Sequence, residues 1–580
     1  MAGFRLSRDW TSSLALSLAI NLTACAPGEP QAVEPLRMLN HWDNPDGSVE
    51  RGYAGRSIFW SRGGIDTLAI RKYGQKNQAI GINATVLNNV NASPKMLSDA
   101  YLDTTACYAD LLRPYGIRVW LAVNFASPQA LGATQTADPL DPAVQQWWRD
   151  KVADVYRRIP DFGGFLVKAN SEGQPGPCDY GRSHAEGANM LADALRPHGG
   201  QVIWRAFVYS PSDPDRAKQA FAEFAPLDGQ FASNVIIQIK NGPIDFQPRE
   251  PVSPLFFAMP HTRLMAELQI TQEYLGHSNH IAFLAPMWRE TLDAIGRLPN
   301  LVGYAGVANV GTEGCGNRLA EANWFAFGRM AADASLSPDS IAREWVCGTF
   351  PSANDEAKSA IVRLLTMSRE TVVDYMMPLG LHHIFAWGHH YGPEPWCAVR
   401  GARADWLPSY YHRADSIGLG FDRTEATGTS ATTQYPDSLR DLFEPLATCP
   451  EDELLWFHHV PWQYERTWQC CGTTESLWEH LGRHYQRGVD NVAVMQQLWQ
   501  SVKGEVSDVT FDDIARRLDK QQRDAQWWRD ACLLYFQTFS RLPWPSAVQP
   551  PVHSLDDMMR FHIRIGNHEC APLDVDAPCK

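Results

Sequence analysis

Residues 163–208 read GGFLVKANSEGQPGPCDYGRSHAEGANMLADALRPHGGQVIWRAFV, and this stretch decides the fold class. Gly163–Ala169 and Gln201–Val208 carry Val, Ile, Leu and aromatic residues on successive positions, the pattern of strands buried on both faces. Between them His184–Leu195 spaces its apolar residues helically, and Pro197 with the pair Gly199-Gly200 stops it. Strand, helix and strand in that order predict a βαβ unit with parallel strands.

The alternation extends in both directions. Strand-like runs occur at Arg37–Trp42, Gly81–Val90, Ile117–Phe125, Gly163–Ala169, Gln201–Val208, Asn234–Lys240, Leu264–Ile270 and Leu301–Asn309. Ser93-Pro94 and Asp141-Pro142 each set an N-cap residue before proline, and the second opens an amphipathic helix to about Arg158. Eight strands alternating with helices predict an α/β protein with a (β/α)8 TIM barrel over residues 37–335. From Leu336 the pattern changes. Ser337-Pro338 starts a helix, and long helical stretches follow at Asp355–Met376, Glu475–Lys503 and Phe511–Arg541, so residues 336–580 are expected to form an all-helical C-terminal domain. Met377–Thr432 reads as a long irregular segment, too aromatic around Gly388–Pro393 for disorder.

Composition narrows the function. Hydrophobic residues are 44% and charged residues 20%, enough to build a sizeable core. The 21 Trp suit sugar binding, because indoles offer broad faces to pyranose rings, although Trp is also an ordinary core residue. A formal net charge of −14 without a dense Lys/Arg stripe argues against a nucleic-acid partner. Twelve Cys show no CxxC pair, and the adjacent Cys470 and Cys471 suit neither a zinc ribbon nor a disulfide framework, so buried free thiols are expected. Residues 1–36 read as a leader and tether. Arg5 and Arg8 precede a mildly apolar stretch that ends in Leu22-Thr-Ala-Cys25, which resembles a bacterial lipoprotein signal with Cys25 as the lipidated residue. A remnant of an upstream domain is the other reading. The location is accordingly periplasmic or membrane-anchored, with cytoplasmic as the alternative.

Barrel active sites lie at the C-terminal ends of the strands. Here those ends are polar. Trp42-Asp43-Asn44 closes the first run; Lys168, Asn170 and Glu172 close the fourth; Arg205 lies in the fifth; Lys240 and then Asp245 close the sixth; Glu267 and then Glu273 belong to the seventh. Any one of these charges could be a structural ion pair, but three cations and three or four carboxylates at one rim predict a shared site. Acetal hydrolysis fits it. One carboxyl would protonate the leaving oxygen and another would activate water or attack carbon, while Lys168, Arg205 and Lys240 hold an anionic sugar. A Schiff-base lyase on Lys168 or Lys240 is the rival, and it leaves the surplus carboxylates and Trp42 without a role. His382, His383, His389 and His390 could ligate a metal, but no HExxH or paired Cys accompanies them, and they read better as a loop shaped against the site.

Arg37-Met-Leu-Asn-His-Trp-Asp-Asn44, Gly47–Gly55, Gly164–Pro177, Gln238–Pro248, Gln269–Tyr274, His389–Pro393 and Tyr411–Asp415 resemble motifs of the α-glucuronidases of glycoside hydrolase family 67, from residue 37 almost to the end. The resemblance implies release of (4-O-methyl)glucuronic acid from the α-1,2 bond to the terminal xylose of xylo-oligosaccharides, by inversion and without a cofactor or metal. By motif position Glu172 matches the general acid, and Asp245 and Glu273 the carboxylates that position and deprotonate water. Lys168, Arg205 and Lys240 match the groups holding the uronate, Trp42 a sugar-contacting ring, and Val90 a position near the 4-O-methyl group. The resemblance also implies a homodimer through the C-terminal domain. Departures are the short lead of residues 1–36, where the family has a folded domain, and the segments Gly311–Asn317, Arg466–Thr474 and Leu275–Asn300. A barrel that binds sugar without turnover is the non-enzymatic alternative.

Overall fold

The computed structural model describes residues 34–561 except 52–54, 62, 210–212, 309, 313, 389 and 470. The leader reading, with Cys25, lies outside the described residues. Eight parallel strands close into a barrel in sequence order: β1 (Leu36–His41), β2 (Ala84–Val86), β3 (Arg118–Ala122), β4 (Gly164–Val167), β5 (Gln201–Arg205), β6 (Val235–Lys240), β7 (Leu264–Gln269) and β8 (Leu301–Ala308), which pairs back onto β1. Each falls inside or within a residue of its expected run. The runs overshoot at their C-terminal ends because those residues leave the ladder to build the rim. After β2, for instance, Asn89 donates its backbone N–H to Asp43 O at 2.8 Å instead of to a neighbouring strand.

The strands are surrounded by α1 (Thr67–Ala79), α2 (Asp99–Leu112), α3 (Pro142–Arg158), α4 (His184–Leu195), α5 (Arg216–Phe224), α6 (Ala285–Ile295) and α7 (Glu321–Ala332). Local chemistry sets these limits. Asp141 accepts the N–H groups of Ala143 and Val144 at the start of α3, Pro142 occupies its first turn, and Val144, Trp148, Val152 and Val155 are buried. Ser183 and Glu186 form a capping box at α4. Gly164 has φ +142°, and a Cβ there would stand 1.9 Å from Gln201 O, so only glycine lets β4 lie this close to β5.

Beyond α7 come α8 (Pro338–Thr349), α9 (Asp355–Met376), α10 (Leu477–Gln500), α11 (Asp508–Ser540) and α12 (Leu555–Arg560). This helical region also holds two short antiparallel ladders, Gly418–Leu419 with Val460–Pro461 and Glu465–Thr467 with Thr474–Ser476. Its core is continuous with that of the barrel. Polar ties reinforce the join: buried Arg249, beyond β6, reaches the exposed carboxylates of Glu290, Glu370 and Asp452, and His280, beyond β7, meets Asp524 of α11 at 2.8 Å in a fully buried pair. Among the described residues no helix is long and apolar enough to cross a membrane. The expectation of buried thiols needs correction. Cys397, Cys449 and Cys532 are buried, but Cys107, Cys178, Cys347 and Cys471 are exposed. Cys107 and Cys347 lie on the solvent faces of α2 and α8, where apolar spacing does not require burial.

Candidate active site

The strand ends open into a cavity of about 400 Å³, and Trp42, Val90, Lys168, Glu172, Arg205, Lys240, Asp245 and Glu273 all line it. The eight residues assigned roles by motif position therefore meet in one place, whereas Asp43, Asn44, Asn170 and Glu267, also read at the strand ends, do not line the cavity. Glu172 reaches it on a tight turn. Gln174 donates its N–H to Ser171 O at 2.9 Å, and the two residues between, Glu172 (φ 48°) and Gly173 (φ 76°), are both left-handed. A two-residue turn of this kind suits glycine at its second position but strains a glutamate at its first, and such strain persists where the surroundings impose it.

Several of the cavity's cations gather about one aromatic ring, Phe207. Lys168 Nζ donates to Glu172 and, at 2.8 Å, to Asn91 Oδ1. Lys240 Nζ pairs with Asp245 and lies 3.5 Å from the centre of the Phe207 ring. Arg205 Nε is held by both oxygens of Glu267, at 2.9 and 2.8 Å, a fully buried pair that makes Glu267 a structural partner rather than a cavity group. Arg216, which sequence reading did not single out, adds a fourth cation, with its guanidinium 5.1 Å from Phe207 and 4.0 Å from Tyr209. Phe207 thus meets Lys168, Arg205, Arg216 and Lys240 with one ring. Burial pulls both lysines below their ordinary pKa, partly offset by Glu172 at Lys168 and by Asp245 at Lys240. An anion bound among them would remove that penalty.

The carboxylates are held differently from one another. Burial is the largest influence on Asp245 and would raise it, but Lys240 and the Tyr274 hydroxyl, which donates to Oδ2 at 2.6 Å, together keep the group below the usual carboxylate range. Burial is outweighed still further at Glu273, held well below its ordinary value by Arg51 and His390. Arg51 Nε donates to Oε1 at 2.7 Å, His390 Nδ1 lies 2.9 Å from the same oxygen, and Gln269 donates to Oε2 at 2.7 Å. Burial is the largest single influence on Glu172 and acts upward, but the charge and hydrogen bond of Lys168 together with the charge of Lys240 bring it below its ordinary value. It is the most open of the three, its side chain 39% exposed against 19% for Asp245 and 5% for Glu273.

Residues 383–411 close the far wall through His383, Trp387, His390, Trp406 and Tyr411. His382, His383 and His390 are shaped against the site, His389 lying outside the described residues: the His383 backbone N–H donates to Gln247 Oε1 at 2.6 Å, and buried His382 packs its ring on Trp456 and Tyr411. Trp387 and Trp406, 6.0 Å apart and partly exposed, flank the mouth. Arg51 and Tyr274 lie inside quoted motifs but carried no signal of their own, and Trp406 had none beyond its residue type.

Two family models match the chain, the glycosyl hydrolase family 67 middle domain over residues 26–301 and the family 67 C-terminus over residues 315–549. The chain belongs to glycosyl hydrolase family 67. It is 41% identical over 545 residues to alpha-glucuronidase A of Emericella nidulans and 39% identical over 542 residues to the alpha-glucuronidase of Hypocrea jecorina. Each match covers 88% of this chain and 63% of the relative, so the chain spans under two thirds of the length of these curated relatives. Among solved structures, a GH115 4-O-methyl-alpha-glucuronidase has a TM-score of 0.40 at 12% identity, covering 90% of this chain and 63% of that one. An O-GlcNAc hydrolase of Thermobaculum terrenum has 0.39 at 10%, covering 88% and 86%. These two are too distant to bear on function.

Proposed function

We propose that this family 67 chain is an α-glucuronidase that releases (4-O-methyl)glucuronic acid from the α-1,2 linkage to the terminal xylose of xylo-oligosaccharides by single-displacement inversion. The observation that carries the reading is the gathering of four buried cations in the cavity, Lys168, Lys240, Arg205 and Arg216 around Phe207, beside the carboxylates Glu172, Asp245 and Glu273. A neutral sugar has no use for four buried cations, whereas a uronate matches them by charge-assisted hydrogen bonds. Glu172, the most exposed carboxyl, protonates the glycosidic oxygen. Asp245 and Glu273, each fixed by several donors as an anion, orient water and take its proton. Division of that task between two carboxylates suits a water nucleophile better than direct attack by one of them. Trp42 and Val90 contact the sugar, the latter near the 4-O-methyl group, and Trp387 with Trp406 receives the xylose units at the mouth. Homodimerisation through the helical region belongs to the same reading.

Proton NMR during early turnover of aldouronic oligosaccharides tests it. β-Glucuronic acid should appear first, with the α anomer following by mutarotation. Initial α anomer would mean retention, and failure to release glucuronic acid would remove the activity itself.

A further inference from the structure

His390 and Tyr391 are consecutive, and the chain turns so that the first lines the cavity while the second is fully buried behind it. The turn is closed at its base, where Ala386 donates its N–H to Gly392 O at 3.0 Å and Phe385 bridges to Pro393. At His390 the backbone is left-handed (φ 54°), a strained conformation for a residue with a side chain, and one that persists only where the surroundings impose it. His390 Nδ1 lies 2.9 Å from Glu273 Oε1, and its ring packs on that of Tyr274 with centres 4.6 Å apart. Tyr274 in turn donates to Asp245. One imidazole thus braces the surroundings of both Glu273 and Asp245.

A buried hydrogen-bond chain stands behind this turn. Tyr391 donates its hydroxyl proton to Asp524 Oδ2 on α11 and lies 3.0 Å from His280 Nε2. Gln521 Nε2 donates to the Tyr375 hydroxyl at 3.2 Å, which leaves the Tyr375 proton for His280 Nδ1 at 2.8 Å. His280 Nε2 therefore carries the ring proton, and it faces the same Asp524 oxygen at 2.8 Å. Arg523 stands 3.3 Å from the other oxygen. Burial is the largest influence on Asp524 and acts upward, but His280, Tyr391 and Arg523 bring it below its ordinary value, so it serves both donors as a carboxylate. Tyr391, His280, Tyr375, Gln521 and Asp524 are each at most 1% exposed, so bulk water does not compete for these bonds. The chain joins four pieces: the stretch after β7 through His280, α9 through Tyr375, the cavity wall through Tyr391, and α11 through Gln521 and Asp524. A buried charge is a poor source of net stability, and a fully partnered one is better suited to fixing a single geometry.

We propose that Tyr391 and Asp524 are positioning residues for turnover: Asp524, from α11, fixes Tyr391 and so sets His390 against Glu273 and Tyr274. This role rests on the reading of Glu273 and Asp245 as the carboxylates that orient and deprotonate water. His390 cannot relax out of its strained conformation while the next residue is held, so the imidazole is in place before substrate arrives. The helical region thereby belongs to the catalytic apparatus of the barrel.

Tyr391→Phe keeps the ring and removes the hydroxyl. It should lower kcat on aldouronic oligosaccharides roughly 10- to 100-fold, as displacement of a catalytic group by about an ångström does, with KM little changed. Glu273 is faced by Arg51, His390, Gln269 and Tyr274 and, as a like charge, by Asp245. Loosening His390 removes part of what holds Glu273 low, so the acid limb of kcat/KM should move to higher pH. Because Tyr391 acts through His390, the His390→Ala/Tyr391→Phe double variant should turn over no more slowly than His390→Ala alone. Asp524→Asn, which keeps the side-chain size, should reproduce the raised acid limb and gives the same reading if Tyr391→Phe folds poorly. A wild-type kcat with an unmoved acid limb, a lowered thermal midpoint as the sole change, or losses that multiply in the double variant would overturn the proposal. No turnover by the wild type, or full turnover by Glu273→Gln, would instead remove the reading on which it rests.

Discussion

The ammonium of Lys168 is divided between Asn91 and Glu172, and the uronate of the proposed substrate would compete for it. The consequence falls on Glu172. A general acid must hold its proton at the working pH, yet in the free cavity Lys168 pulls this carboxyl below its ordinary value despite burial. Once a uronate engages Lys168, burial and the substrate's own negative charge both act upward on Glu172. A charge partner within reach shifts a carboxyl by about 1–3 units, so the change on binding should be of that order. The basic limb of kcat/KM reports the acid in the free enzyme, and the basic limb of kcat reports it in the complex. The kcat limb should therefore lie about 1–3 pH units higher with a uronate substrate. The α-glucosyl analogue, without a carboxylate, should show a much smaller separation. Coincident limbs with the uronate would mean that substrate does not relieve the Lys168–Glu172 pair.

Strand β7 and its following turn show how one element arms the site. Gln269 ends the strand and orients Glu273; Glu273 comes four residues later; Tyr274 turns the opposite way and donates to Asp245, beyond β6. Burial keeps Tyr274 well above an ordinary phenol, so it remains a donor at any working pH. Tyr274→Phe removes a hydrogen bond to a charged group, an interaction of about 1.5–3 kcal/mol. It should lower kcat roughly 10- to 150-fold at that magnitude, with KM little changed if Asp245 acts on water rather than on the sugar. An equal rise in KM would move Asp245 into substrate binding. The same element shows what could be read in advance. Leu264–Ile270 announced a strand because Leu264, Met265, Ala266, Leu268 and Ile270 put apolar side chains on both faces, as burial on both sides requires, and Glu273 stood out as a carboxylate just past its end. Tyr274 and Arg51 did not stand out, because a tyrosine and an arginine in loops are unremarkable until tertiary structure sets them against carboxylates.

The whole chain carries buried titratable groups of opposite tendency, and their balance predicts how stability responds to pH. Burial raises Glu250 and Glu453 from 4.5 to about 8, and Glu453 Oε2 is shut away without a hydrogen-bond partner among the described residues. A carboxyl whose folded pKa is raised contributes stability that is full below about 4.5 and is lost as pH climbs through about 8. Burial does the reverse to histidine. His383 falls from 6.5 to about 3, His412 to about 4, His480 to about 3, and His382 well below its ordinary value. Their contribution is full above about 6.5 and is lost as pH falls below it, because the unfolded chain takes up protons that the native one refuses. Glu370, lowered to about 2, adds to the acid loss only below its ordinary 4.5. Stability peaks where proton uptake by the two states is equal. Near pH 6.5 each of these unfolded imidazoles, with that of His458, which burial also lowers, holds about half a proton, of the same order as the nearly whole proton on each of the two native carboxyls. The thermal midpoint should therefore be greatest at about pH 6.5 and decline on both sides. Glu453→Gln removes one of the two alkaline-side groups, so the balance should move up by roughly half a unit, toward pH 7, with a shallower alkaline decline. Differential scanning calorimetry of both chains from about pH 5 to 9 reads the two curves directly. A maximum that stays in place after the substitution would show that Glu453 is ionised throughout, and would point to ionisation of other groups as the cause of any alkaline loss.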